Sequence, residues 1–397
     1  MWIWGKLHFA MGILFGIDPI VAQAHGARDG PRAAFALQRG LVLAACLSVP
    51  LALSWLATEE FLRATGQDPA LAAAAERYTL LQIPSIPFFL AFLTLRQFLQ
   101  CREIVRPALW VIVAANVVNF FGNWALIFGH LGLPALGLEG AALATSLSRA
   151  ACLVGLLALI ARFDLMQGAW LPWSRRAFEW RGVLEILRLG MPVGVQVALE
   201  AWAFSGAALL AGRIGTEALA AHTIVLNMAA LSFMMPLGIG LAAVTRVGNL
   251  IGARRPDDAQ RAAWVALALG AGVMAASAAV FLAFRDALPR LYTADLAVVA
   301  LATGILPIAA AFQVFDGVQV VACGVLRGMG RTRPAAVFNA VSYWLLGIPL
   351  GAWLGLVAGW GLAGIWWGLC IGLALVSILL VGWIRVRGPA RAAVQLA

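Results

Sequence analysis

Charged residues are scarce in this 397-residue chain: Asp, Glu, Lys and Arg make up 12%, against 63% hydrophobic. A soluble domain of that length could not face water with so few charges, so the composition excludes the soluble globular classes and leaves the bilayer as solvent. Lysine is almost absent. Lys6 stands alone and no GxxxxGK stretch occurs, which excludes a phosphate-cradling loop and transport driven by ATP. The five cysteines, Cys46, Cys101, Cys152, Cys323 and Cys370, lie scattered in apolar stretches without CxxC spacing, so neither a disulfide framework nor a zinc site is expected. His8, His25, His130 and His222 show no HExxH or paired spacing, and no metal site is expected from them either. An aspartate-rich metal-diphosphate motif is also missing, which disfavours a membrane-embedded transferase. No enzymatic activity and no cofactor are expected, and the energy source is an ion gradient. The net charge of +10 comes from arginines placed between apolar runs rather than in one aromatic-interleaved patch, so nucleic acid is not an expected partner.

What the chain has in abundance is apolar stretches of about 20 residues, each long enough to cross ~30 Å of hydrocarbon. Reading charges as boundaries gives eleven spans: 4–24, 36–57, 78–99, 108–129, 138–161, 190–212, 220–245, 262–284, 297–325, 335–356 and 361–384. The first has no small-residue cleavage site and reads as a span rather than a signal peptide. The longest polar interval, Arg162 to Arg188, is the expected linker. One set of alternate loops holds 21 arginines and the other holds five: Arg63, Arg77, Arg213, Arg285 and Arg290. Basic flanks resist translocation, which places the richer set and the C-terminus in the cytoplasm of a bacterial inner membrane.

The chain also repeats. Gly26-Ala27-Arg28 answers Gly252-Ala253-Arg254 at an offset of 226, Arg106-Pro107-Ala108 answers Arg333-Pro334-Ala335 at 227, and Gly137-Leu138-Glu139-Gly140 answers Gly361-Leu362-Ala363-Gly364 at 224. An even number of helices per offset keeps both copies in one orientation, which is a parallel repeat. The expected fold is an all-α polytopic membrane protein of two pseudo-symmetric bundles: an N-terminal lobe at 1–165, a cytoplasmic linker at 166–188 and a C-terminal lobe at 189–397. The counterpart of the sixth span would fall upstream of Met1, so five helices are expected in the first lobe and six in the second, with the missing helix encoded upstream.

Glu200 is the most informative side chain, lying 12 residues from Arg188 and 13 from Arg213, about 18–20 Å from either end at 1.5 Å per residue. Intramembrane carboxylates are expensive and mark ion or proton paths. Asp316 is the second, with no charge between Asp295 and Arg327; Phe312 and Gln313 precede it by about one turn and Gln319 follows at i+3, all on one helix face. The two acids are the expected coupling-cation site. Asn116, Asn119 and Asn123 share a face of the fourth span, which serves either helix-to-helix hydrogen bonding or a cavity lining. Asp18 precedes Pro19, which leaves open whether it belongs to a kink or to the cavity. Arg149, midway through the fifth span, reads as structural. Gln196 and Trp202, flanking Glu200, complete the expected cavity neighbourhood of Phe312, Gln313, Asn119, Asn123 and Asp18.

Five stretches carry a family resemblance: Gly12 to Ala27, Asn119 to Thr145, Arg188 to Glu200 (RLGMPVGVQVALE), Ala220 to Gly252 and Phe312 to Gly330 (FQVFDGVQVVACGVLRGMG). In this order and spacing the chain resembles the multidrug and toxic compound extrusion transporters, in particular their NorM-like branch. The resemblance implies twelve helices in two six-helix lobes that export amphipathic, mainly cationic compounds in exchange for Na⁺ or H⁺. Glu200 matches the acidic residue of the family's seventh helix and Asp316 its tenth-helix aspartate. Phe312 stands where that branch often has a tyrosine, and Asn123 where the DinF-like branch has an aspartate. The family's first helix, with its own cavity-facing acid, has no counterpart here. The expected partners are the bilayer and small amphipathic cations, with the protein a monomer. The alternatives are a lipid-linked precursor flippase of the same superfamily, which would use first-lobe arginines to hold a diphosphate, and the disfavoured transferase.

Overall fold

The computed structural model describes residues 2–392. All regular structure among them is helical. Eleven helices are long and apolar enough to cross a membrane: α1 (Gly5–Gly26), α2 (Gly30–Leu56), α3 (Pro69–Cys101), α4 (Arg106–Phe128), α5 (Leu138–Arg162), α6 (Trp180–Ile214), α7 (Thr216–Gly252), α8 (Pro256–Ala283), α9 (Leu296–Gly328), α10 (Arg333–Val357) and α11 (Gly361–Arg391). Each was expected from the sequence, yet several run longer. Helix α6 starts ten residues earlier than its predicted span because Arg181, Glu185 and Arg188 ride on an exposed helical extension. Charges mark where the apolar solvent ends, whereas backbone hydrogen bonding continues past that limit.

Internal breaks follow from proline and glycine. Helix α1 is interrupted between Leu14 and Ile17, just before Asp18-Pro19, where the Pro19 nitrogen has no hydrogen to donate to the preceding turn. At the break a Cβ on Gly16 would collide with the carbonyl oxygen of Ile186, so only glycine allows the approach. Helix α3 breaks at Leu81–Ser85, ahead of Ile86, around Pro84 and Pro87. There Ser146 Oγ donates to the freed Leu81 carbonyl (2.9 Å), and Arg149 Nη1 donates to Ser85 Oγ (3.0 Å) with its guanidinium 5.3 Å from the Phe89 ring centroid. Arg149 therefore braces a broken helix, as the structural reading of a lone intramembrane cation requires.

The chain divides into two compact units, Met1–Gly190 and Met191–Ala397, with the boundary inside α6 and next to Pro192. The polar interval after α5 is tied to the first unit. Gln38 Nε2 donates to the Leu171 carbonyl (2.7 Å), and Arg102 donates to those of Leu165 (2.7 Å) and Gln167 (2.8 Å). Arg39 Nη2 bridges the Arg176 carbonyl (3.3 Å) and Glu179 (3.2 Å). The first unit's core is built from Leu14, Ile17, Leu37, Trp55, Leu90 and Phe98, all fully buried. In the second unit, glycines let backbones meet, the usual device where lipid removes the hydrophobic drive between helices. Gly324 of α9 lies against Gly240 of α7, and Gly347 and Gly351 of α10 interlock with Gly368 of α11. Helix α10 contains two π-helical stretches, Ala340–Gly347 and Trp353–Val357.

Candidate functional site

Glu200 and Asp316 belong to the same unit, on α6 and α9. Gln319, three residues after Asp316 on α9, reaches Glu200 and so brings the two acids' helices together at this level. Asp316 is 5% exposed and Glu200 is half-buried. Gln319, on the face of α9 expected from its i+3 spacing, donates through Nε2 to Glu200 Oε2 (3.5 Å) and to Asn339 Oδ1 of α10 (3.1 Å). Asn339 is fixed in turn by donating from Nδ2 to the Ala335 carbonyl (2.8 Å). Gln196, one turn before Glu200, donates to Cys323 Sγ (3.1 Å), and Trp344 Nε1 donates to the Leu199 carbonyl (3.1 Å). Side chains from α6, α9 and α10 thus meet around Glu200 and Gln319, one turn from Asp316. Such an arrangement offers carboxylate and amide oxygens to a small cation, or a shared place for a proton.

The remaining expected residues separate into groups. Phe312 and Gln313 are fully buried in the same unit as the acids. Trp202 is 54% exposed; two residues past Glu200, at 100° per residue, it turns to the opposite side of α6. Asp18 is in the other unit, fully buried, with Gln97 Nε2 donating to both carboxylate oxygens (3.1 and 3.2 Å) and the Arg96 charge within range. Cys101 Sγ donates to the Asp18 carbonyl (3.5 Å). Asn119 and Asn123, also in the first unit, are half-buried on one face of α4, with Asn123 Nδ2 donating to Asn119 Oδ1 (3.0 Å). Asn116 is exposed and donates to the Ile112 carbonyl of its own helix (3.0 Å).

Sequence reasoning missed Asn339, Ser342, Tyr343 and His222. The first three recur at i, i+3 and i+4 on α10, the same helical spacing that picked out the asparagines of α4. Their neighbourhood is unusual. Among the described residues of this unit, the side-chain atoms sealed from solvent without a hydrogen-bond partner include both nitrogens of His222, both amide atoms of Gln313, Gln319 Oε1, Ser342 Oγ, Tyr343 OH and Trp366 Nε1. An unsatisfied buried polar atom costs about 1–3 kcal/mol, so a concentration of this kind calls for water or an ion.

The sequence pattern of the MatE family matches residues 3–125 and 192–353. The chain is 36% identical to a probable multidrug resistance protein NorM of Mesorhizobium japonicum over 397 aligned positions, covering 96% of this chain and 83% of that one. It is 38% identical to the corresponding protein of Bradyrhizobium diazoefficiens, with the same coverage. Among solved structures, the eukaryotic MATE transporter AtDTX14 superposes with a TM-score of 0.88 at 24% identity, covering 98% of this chain and 86% of that one. An outward-facing multidrug resistance MATE transporter of the MOP superfamily gives 0.87 at 20%, over 98% of this chain and 86% of that one. These likenesses confirm the fold expected from the repeat and the eleven spans. The chain belongs to the MatE family of polytopic membrane proteins.

Proposed function

We propose that this protein is a cation-coupled multidrug exporter, in which Na⁺ or H⁺ entering at Glu200 and Asp316 is exchanged for an amphipathic, mainly cationic compound leaving the cell. The observation that carries this reading is the hydrogen bond from Gln319, one turn past Asp316 on α9, to Glu200 of α6, inside a unit whose spans are otherwise almost uncharged. Relatives named as multidrug resistance proteins over nearly the full chain support the cargo class. Acids rather than arginines at the centre of the unit favour a positive cargo over a diphosphate-bearing lipid. The pair binds the coupling cation in one state of the protein and releases it in another, so the gradient biases which side the cargo leaves from. On this reading no cofactor is needed, the protein acts as a monomer in the bacterial inner membrane with a cytoplasmic C-terminus, and it performs no covalent chemistry.

Efflux of a fluorescent cation from reconstituted vesicles, with Na⁺ and pH gradients imposed separately, tests the proposal. Glu200→Gln removes the charge with little change of shape and is expected to abolish gradient-driven efflux while leaving the melting temperature unchanged. Efflux that survives the substitution overturns the assignment.

A further inference from the structure

Of the unpartnered buried polar atoms of the second unit, those of His222, Trp366 and Tyr343 belong to a series of neighbouring rings, and Gln313 and Ser342 adjoin that series in sequence. The His222 ring of α7 lies 5.6 Å from Trp366 of α11, Trp366 lies 5.8 Å from Phe312 of α9, Phe312 lies 6.1 Å from Phe204 of α6, and Phe204 lies 6.3 Å from Tyr343 of α10. His222, Gln313, Ser342, Tyr343 and Trp366 are each at most 1% exposed, yet seven of their side-chain polar atoms have no partner. Gln313 follows Phe312 and sits three residues before Asp316, hence on the same face of α9. At the other end, His222 is six residues inside Thr216, about 9 Å along α7 from the arginine-poor end of the unit. The series therefore runs from near one membrane face to Tyr343, one turn past Asn339, which is joined through Gln319 to Glu200.

The balance of donors and acceptors indicates what fills it. A bare Na⁺ needs acceptors alone. Here a neutral imidazole offers one donor and one acceptor, the Gln313 amide and the two hydroxyls offer both, the Trp366 indole donates, and Gln319 Oε1 accepts. Water satisfies such a mixture because it also donates and accepts. Along these helices the charged residues nearest to His222 are Glu217 of α7 and Arg213 of α6, both exposed; between Glu217 and Arg246 α7 carries none, and α9 carries none between Asp295 and Asp316. No fixed charge interrupts the route.

We propose that His222 relays protons between the arginine-poor face of the second unit and the Glu200–Asp316 pair, through water ordered along Trp366, Gln313 and Tyr343. This rests on the reading of that pair as the coupling site and adds the route by which the ion arrives. A proton from bulk water adds to the lone-pair nitrogen of the neutral ring. The opposite ring nitrogen releases its own proton to the next water, leaving the other neutral tautomer, and successive hops end on a carboxylate oxygen. Rotation of the ring then turns its lone-pair nitrogen back toward the entry side, ready for the next proton. Protons in and out balance, and no other reactant is consumed.

The test uses the full chain in vesicles under an imposed pH gradient, following internal pH and efflux of a fluorescent cation. His222→Phe keeps an aromatic ring against Trp366 and removes both nitrogens. It is expected to slow initial proton flux by about a hundredfold, the scale of a lost positioned proton carrier, while equilibrium binding of the same cation in detergent and the melting temperature stay unchanged. External imidazole restores part of the flux in His222→Ala. The unmodified protein itself shows slower flux in D₂O, a readout independent of whether any variant folds. Undiminished flux in His222→Phe, loss of cation binding in step with flux, or an unmodified protein without isotope sensitivity overturns the relay. A protein driven by Na⁺ alone also overturns it, while efflux that remains sensitive to Glu200→Gln keeps the carboxylate reading intact.

Discussion

The two units solve the same helix crossing in opposite ways, and the contrast sets a carboxylate with both oxygens hydrogen-bonded against the carboxylates proposed to exchange an ion. In the first unit α1 crosses α3 through Asp18, sealed and accepting twice from Gln97. At the repeat offsets of 226 and 227 residues, Asp18 corresponds to Val244 and Gln97 to Gly324. There α7 meets α9 by direct backbone approach, with Gly324 on Gly240 and Gly328 on Val244. The reverse holds about two turns away, eight residues before Gly324. Asp316 of the second unit corresponds to Leu90, a fully buried apolar residue of the first. A buried carboxylate whose oxygens are already taken by an amide resists exchange, whereas a half-buried one sharing a single amide with Asn339 has capacity to spare.

The comparison breaks most visibly at the second acid. Asp316→Asn is expected to bring gradient-driven efflux to the level of empty vesicles with little change in thermal stability, as read by paired transport and melting assays. Next in size is Gly324→Leu, whose side chain has no room beside the Gly240 backbone. Overpacking of this kind costs about 1–3 kcal/mol, read as a lowered melting temperature and reduced yield of folded protein. Asp18→Ala leaves the Gln97 amide without its partner and is expected to cost about 1–3 kcal/mol of stability. Transport per folded molecule should survive, and its loss would place Asp18 among the coupling groups. Smallest is Asn123→Ala, which removes one bond along α4 and costs about 0.5–1.5 kcal/mol at most. Any transport effect there should appear in substrate preference, measured across a panel of cations, and not in coupling.

Much of this was legible in the sequence. Eleven apolar stretches and three repeated motifs gave the spans and the pairing of the units, because in a bilayer every spanning segment must be a closed hydrogen-bonded helix and long apolar runs have few alternatives. Glu200 and Asp316 stood out because a charge inside such a run is rare. Helix ends did not, since the exposed turns of α6 carry the same charges that mark the membrane edge. The π-helical stretches of α10 flank the glycines that pack on Gly368 of α11, contacts that no local pattern records. Tyr343 and Ser342 escaped notice, and His222 was weighed only as a metal ligand, because neutral polar side chains cost little on a hydropathy scan; their burial without partners reveals them. The sequence leaves Asp18 between kink and cavity; the helix is interrupted after Leu14, and Asp18 accepts from Gln97 just past that break.

The most direct test of the division of labour is a paired reconstitution of Glu200→Gln and Asp18→Asn, each replacing one carboxylate by an amide of the same shape. Under an imposed cation gradient, efflux of a fluorescent cation is expected to vanish in the first and persist near the unmodified rate in the second. Persistence in Glu200→Gln with loss in Asp18→Asn would contradict the account and move the coupling site to the first unit.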